Sequence, residues 1–233
     1  MEYIYIQYRL QLQDGRDLAF KLRLDPHTSE AVEATPPAPP AWTALGYHQC
    51  PNCPLDAATH PYCPAALRLS EVVGKCNKLD AYAPARIEVT TPERAIVAAK
   101  PLQKGLGSLM GLMIATSGCP RAAYLRPMAR FHLPFATDDE AIYRAASMYL
   151  LAQYFRRKDG RDPDLDLEGL SEIYRNLQIV NTALTKRLET ATGKGATTSA
   201  IATLDLFSHT LPYNIKNSLD SIRRYFESYF SVL

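Results

Sequence analysis

The most constraining feature of this sequence is an alternation that doubles back on itself. Ile4, Ile6, Tyr8, Leu10 and Leu12 fall on one side of the chain and Gln7, Arg9 and Gln11 on the other, the two-residue period of a half-buried strand. Asp14-Gly15 supplies a hairpin-turn pair, and Leu18, Phe20, Leu22 and Leu24 resume the alternation beyond it. Arg86–Thr90 and Ala95–Lys100, joined through Thr91-Pro92-Glu93, read as a second pair. The four segments predict a small antiparallel sheet.

The C-terminal half changes period. Thr137 or Asp138 caps a helix running to about Arg157, with Ile142, Ala145, Ala146, Tyr149 and Ala152 on one face. Leu170, Ile173, Tyr174, Leu177, Leu184 and Leu188 mark a longer helix, ended by Gly193-Lys194-Gly195, and two more are predicted over Thr198–Ser208 and Ile215–Phe230. The fold class is α+β: a small N-terminal antiparallel sheet with a Cys-rich insertion, then a C-terminal helical bundle. The boundary falls near residue 135, dividing 1–135 from 136–233, unless the two parts form one integrated domain. Between the hairpins, Thr35-Pro36-Pro37-Ala38-Pro39-Pro40-Ala41-Trp42 reads as a stiff extended connector, and Pro64 opens a helix over Ala65–Lys75.

Composition removes several classes of function. With 47% hydrophobic and 21% charged residues in 233, the chain is neither disordered nor collagen-like. The net charge of +2 implies no polyelectrolyte partner, and the segment Cys50–Cys63 contains no basic residue, so nucleic-acid binding is not expected. The most apolar run, Gly105–Thr116, is well short of the roughly 20 residues that span a bilayer, and Met1-Glu2-Tyr3-Ile4-Tyr5 does not resemble a signal peptide. Five cysteines in a chain of this length point to reduced thiols and a cytoplasmic protein.

The chemistry-bearing signal is a cysteine–proline constellation. Four of the five cysteines precede proline directly: Cys50-Pro51, Cys53-Pro54, Cys63-Pro64 and Cys119-Pro120, against 17 prolines in the whole chain. Proline after a ligand removes an amide donor and stiffens the turn that presents the sulfur. Cys50-Pro51-Asn52-Cys53 is a C-x-x-C knuckle, and His60-Pro61-Tyr62-Cys63 is a second tight pair. Two ligand sets are open. Cys50, Cys53, His60 and Cys63 could enclose zinc locally, or Cys119 could close a three-plus-one site with Cys50, Cys53 and Cys63, suited to zinc or an iron–sulfur cluster. His48, His60 and His132 are reserve ligands. Packed free thiols with no ligand remain a competing reading.

Two thiol chemistries compete with a metal. Cys50-Pro51-Asn52-Cys53 resembles the C-P-x-C motif of thioredoxin-like oxidoreductases, although it follows a proline-rich loop where those proteins have a strand. Cys119 lies in a stretch from Arg94 to Thr137 that is without a carboxylate, and Arg121, Arg126 and Arg130 could stabilise a thiolate there or bind an anion. Arg126 stands one residue too far for a phosphatase loop. His132 is either a proton carrier near Cys119 or a core histidine. The alternating carboxylates of Asp162-Pro163-Asp164-Leu165-Asp166-Leu167-Glu168 lack the glycine and glutamate of a calcium loop and fit a helix N-terminus. Gly107 and Gly111 fit close helix packing.

Three stretches carry a resemblance: His48-Gln49-Cys50-Pro51-Asn52-Cys53-Pro54-Leu55, Ala115-Thr116-Ser117-Gly118-Cys119-Pro120, and Leu125-Arg126-Pro127-Met128-Ala129-Arg130-Phe131-His132-Leu133-Pro134-Phe135. Together they resemble an uncharacterised family of bacterial proteins, a domain of unknown function, over nearly the whole chain. The resemblance implies a bacterial cytosolic protein and brings no activity with it. The expectation from the residues is a zinc or iron–sulfur centre on Cys50, Cys53, Cys63 and Cys119, with the helical half as a docking surface for a protein partner. The alternative is a thiol or anion-binding enzyme centred on Cys119.

Overall fold

A computed structural model describes residues 3–32 and 36–231, with the side chains of 206–218 and 231 outside the description. Strands β1 (Ile4–Leu12) and β2 (Asp17–Leu24) form the first hairpin. Gly15, at φ 89°, takes the left-handed position that the turn requires. β3 (Pro84–Thr90) and β4 (Ala95–Pro101) form the second hairpin, and the antiparallel order is β2-β1-β3-β4. Tyr8 therefore sits at the sheet's centre, opposite Phe20 on one side and Val89 on the other. Ile6, Tyr8, Leu10, Phe20, Leu22 and Ile87 point into the core. Tyr5 and Val97 stay exposed, so the sheet is covered on one face only.

The covering element is α2 (Leu102–Ala115), which follows β4 without a loop. Its approach depends on Gly105: a Cβ there would stand 2.6 Å from Ile87 Cδ1 and 3.3 Å from Leu10 Cδ2. The far side of α2 packs on α6 (Ala196–Ile222) through Gly107 and Gly111, where added Cβ atoms would meet the Ala200 carbonyl and Leu204 at contact distance. Helix α1 (Pro64–Cys76) begins with Pro64 in the first turn. After α3 (Arg126–Arg130), Thr137 and Glu140 form a capping box at α4 (Asp138–Lys158). Helix α5 (Glu168–Thr192) starts beside Asp164, whose carboxylate accepts from the Gly169 amide and the Tyr149 hydroxyl. The acidic run thus serves a helix start. One continuous core joins Ile6 of the sheet to Ile222 of α6.

One expectation needs correction. The two helices predicted over Thr198–Ser208 and Ile215–Phe230 are one helix, α6, to Ile222, followed by a tight turn and the short α7 (Glu227–Ser231). The backbone is helical throughout, and α6 packs on α5, α2 and α4, so tertiary packing outweighs the weak local pattern between the two predicted segments. The proline-rich connector keeps extended geometry at Pro40, φ −56° and ψ 145°. Thr35 lies outside the described residues, but the tract ends in a helical turn, Ala41–Thr43, with Trp42 and Thr43 buried. Among the described residues, no helix is long and apolar enough to cross a membrane.

Candidate metal centre

Three separate turns deliver four thiols to one place. The first is Cys50–Cys53, closed by the Cys53 amide donating to the Cys50 carbonyl at 3.0 Å. The second is the entry to α1. The Cys63 amide donates to Thr43 O at 2.8 Å and the Leu45 amide to Pro61 O at 2.9 Å, which lays the two sides of the Cys-rich loop together. Cys63 is the N-cap of α1, at the positive end of its dipole. The third is the exit from α2. Thr116 and Ser117 return their hydroxyls to the Leu112 and Ile114 carbonyls, Gly118 takes φ 86°, and the Cys119 amide donates to Ser117 Oγ at 3.2 Å. A side chain at position 118 would be strained, which is why a glycine precedes Cys119.

Cys50, Cys53, Cys63 and Cys119 line one cavity of about 20 Å³ with Asn52, Arg121, Leu184 and Arg187. That volume holds about one water-sized sphere. None of the thiols is in a disulfide. Burial pushes the Cys50 thiol up to about 12, and the neighbouring Cys63, Cys119 and Cys53 sulfurs push in the same direction. Burial also raises Cys119, against the lowering effect of the Ala122 and Arg121 amides that face its sulfur. The fifth cysteine, Cys76, is fully buried near the end of α1, away from this cavity.

The residue that pattern reading missed is Arg187. It is 2% exposed, and its Nη1 donates to Trp42 O at 2.6 Å and Ala44 O at 2.7 Å, while Nη2 donates to Leu45 O at 3.3 Å. Among the described residues no carboxylate pairs with it; Cys63, Cys50 and Cys53 are among the groups that favour its charge, and burial opposes it. The signal was present in the α5 stripe: Val180, Leu184 and Arg187 recur at helical spacing on a face that is otherwise apolar. Arg121 also reaches the site, with Nε donating to the Asn52 carbonyl at 2.7 Å. The Asn52 side chain donates to Asn176 Oδ1 of α5 at 2.8 Å, and its own Oδ1 is buried with no partner among the described residues.

The remaining candidates lie elsewhere. His60 is exposed, bonded to Thr59, and lines a separate cleft of about 450 Å³. His48 stands edge-on to Tyr47, with ring centroids 4.9 Å apart, and does not line the thiol cavity. His132 binds Tyr8, its Nε2 2.5 Å from the Tyr8 hydroxyl. Arg126 is ion-paired with Glu30, and Arg130 stands 3.5 Å from Glu93. The carboxylate-free stretch is therefore answered by acids from other parts of the chain. Nor does a helix follow Cys53-Pro54, since α1 begins only after Cys63.

Among the described residues, no three or more His, Cys, Asp or Glu side chains stand as a ready-made ion site. The donor chemistry nevertheless fits a thiophilic centre: four sulfurs, no competing carboxylate in the cavity lining, and two guanidinium groups beside them. Thiols that repel one another when ionised gain a common counter-charge from a metal. A family model described as a domain of unknown function (DUF6901) matches residues 6–227. No curated protein and no solved structure matches the chain.

Proposed function

The chain belongs to that family, whose description brings no activity to it, and we propose that it holds a metal centre, a zinc ion or an iron–sulfur cluster, on the thiolates of Cys50, Cys53, Cys63 and Cys119. The observation that carries this reading is Arg187. A buried guanidinium without a counter-ion costs several kcal/mol, roughly, beyond what carbonyl partners restore. Neutral thiols give it no counter-charge; a tetrathiolate centre, with a net negative charge, does. Arg121 adds a second positive charge at the same cavity.

Four protein ligands leave no open coordination position, so the centre is structural, redox-sensing or partner-signalling, with no catalytic role for the metal itself. The three turns that carry the sulfurs come from sequence-distant segments, so a bound metal would hold the Cys-rich loop to the ends of α1 and α2. Cavity size suits a single ion, and four sulfur donors suit zinc and iron–sulfur alike. A thiol enzyme centred on Cys119 needs a lowered pKa and a free base. Burial raises Cys119 and His132 is engaged by Tyr8, so the same residues favour the metal reading.

The test is elemental analysis with a visible spectrum on protein purified without oxygen, for the wild type and the Cys50→Ser, Cys119→Ser and Cys76→Ser variants. The expected result is near-stoichiometric zinc, or iron with sulfide and broad visible absorption. Cys50→Ser and Cys119→Ser should lose it, and Cys76→Ser should retain it. A wild type that binds neither metal after anaerobic reconstitution overturns the proposal, as does full retention by the first two variants.

A further inference from the structure

A second cavity, of about 210 Å³, backs onto the thiol site across α5 and shares no lining residue with it. Tyr174, Leu177 and Asn181 of α5 face this cavity, while Val180, Leu184 and Arg187 face the thiols. Gly107 and Gly111 leave two gaps in the α2 wall, and Leu112, Met128 and Leu177 make most of the surface apolar. By the liquid volume of water the space holds roughly seven water-sized groups.

Its polar equipment is small and specific. Arg144 of α4 is the only charged residue among those that line the cavity. Its Nη2 donates to the Met128 and Phe131 carbonyls, each at 2.9 Å; Nη1 and Nε have no partner among the described residues, and no carboxylate there pairs with it. Burial opposes its charge, while Tyr174 and the Glu140 carboxylate, four residues earlier on α4, favour it without a direct ion pair. On another part of the wall, Ser108 and His132 are joined through the buried Tyr8 hydroxyl behind them, with spacings of 2.8 and 2.5 Å. Burial, aided by the Arg144 charge, pushes the His132 imidazole down to about 4, so it is neutral at pH 7. The cavity therefore presents one fixed positive charge in an apolar surround, with a neutral hydrogen-bonding group beside it.

We propose that this cavity is a binding site for a small amphipathic carboxylate, its anionic head on the Arg144 guanidinium and its apolar body against Leu112, Met128 and Leu177. The head takes the two donors that Arg144 leaves unused, a charge-assisted pairing that a neutral analogue cannot make. A body of six to eight heavy atoms matches the volume, on the order of the seven groups above. The proposal is independent of the metal centre.

Isothermal titration of the full chain with sodium octanoate, and with 1-octanol as the neutral comparison, tests it. Two variants accompany the wild type: Arg144→Met, and Gly111→Leu, which fills the cavity from α2. A Cβ at position 111 meets Leu204 at an ordinary 3.5 Å, so the first added carbon is tolerated, and the unfolding temperature of each variant reads whether the fold is kept. The expected result is saturable octanoate binding by the wild type, at least about tenfold weaker for octanol, and lost by about tenfold or more in both variants. No saturable octanoate binding, equal affinity for octanol, or octanoate binding that survives Gly111→Leu overturns the proposal.

Discussion

Arg121 and Asn52, 69 positions apart in sequence, are joined by a hydrogen bond of 2.7 Å from the Arg121 Nε–H to the Asn52 main-chain carbonyl. That bond ties the turn bearing Cys119 to the turn bearing Cys50 and Cys53. Asn52 is in turn anchored to Asn176 of α5, so the knuckle is held from two directions by groups that are not themselves ligands.

Removing the tie should loosen the site without dismantling it. Arg121→Leu leaves a carbonyl unpaired and detaches Cys119 from the knuckle, at a cost of about 1–3 kcal/mol. Denaturation midpoints should fall accordingly, and metal should pass to a chelator several-fold faster than from the wild type, yet slower than from Cys119→Ser. Chelator release kinetics identical to the wild type would show that the bond does not support the site.

Loss of metal should uncover a pH dependence at the alkaline end. Cys50 is pushed from 9.0 up to about 12 and Cys119 is also raised, so the folded metal-free protein favours the protonated thiols more than the unfolded chain does. That preference contributes stability in full below the unfolded value near 9 and loses it as pH rises toward 12. Metal-free protein should therefore weaken progressively above pH 9, while metal-loaded protein, whose sulfurs are already thiolates, should not show this thiol-linked loss. Urea midpoints of both forms between pH 7 and 10 make the comparison. Parallel curves would mean that these thiols do not govern the difference.

Arg187 makes a sharper distinction between bare thiols and a charged centre. Arg187→Met keeps much of the buried stem but abandons the Trp42, Ala44 and Leu45 carbonyls, so both forms lose stability. The metal-loaded form also loses the counter-charge of its centre, and should suffer by about 3–5 kcal/mol, more than the metal-free form. Thermal unfolding of the variant with and without metal reads the difference. An equal loss in both forms would leave Arg187 as a purely structural clamp on the loop.

Much of the architecture was legible from local pattern. The alternation about Asp14-Gly15 set the first hairpin, and Thr137 with Glu140 set the start of α4, because both features are written within a few residues. The convergence of Cys119 with Cys50, Cys53 and Cys63 was one of two arrangements that spacing allowed. The path of α2 from the sheet back to the Cys-rich loop is what brings Cys119 beside the other three, and no local pattern records that path. Arg187 was missed because a single charge in the stripe of α5 reads as solvated unless the packing on Trp42 and Leu45 is known. The pairing of Arg126 with Glu30 and of Arg130 with Glu93 was hidden for the same reason: the acids are distant in sequence. The two segments predicted over Thr198–Ser208 and Ile215–Phe230 failed in the opposite sense, since a weak local pattern between them hid one continuous helix to Ile222.

His132 supplies a second pH dependence, at the acid end, that does not involve the thiols. Burial in the first place, and the Arg144 charge in the second, hold its imidazole at about 4 against an ordinary 6.5. A base whose pKa is depressed by folding contributes stability that is complete above 6.5 and is lost as pH falls toward 4, because the unfolded chain takes the proton first. The loss amounts to about 2–4 kcal/mol over that window. Carboxylates held low by their partners, such as Asp164 and Glu140, begin to lose their contribution only near their ordinary values of 3.8 and 4.5, so most of the histidine window lies above theirs. Guanidinium midpoints measured at pH 7, 5.5 and 4.5 should fall in the wild type and stay nearly level in His132→Gln, which keeps a hydrogen-bonding group near Tyr8 but cannot ionise. Tyr8→Phe should lower stability by about 1–3 kcal/mol at pH 7 through the loss of its bonds to Ser108 and His132, yet keep the acid slope, since burial rather than the hydroxyl sets the imidazole's preference. A slope that persists in His132→Gln would assign the acid sensitivity to another group.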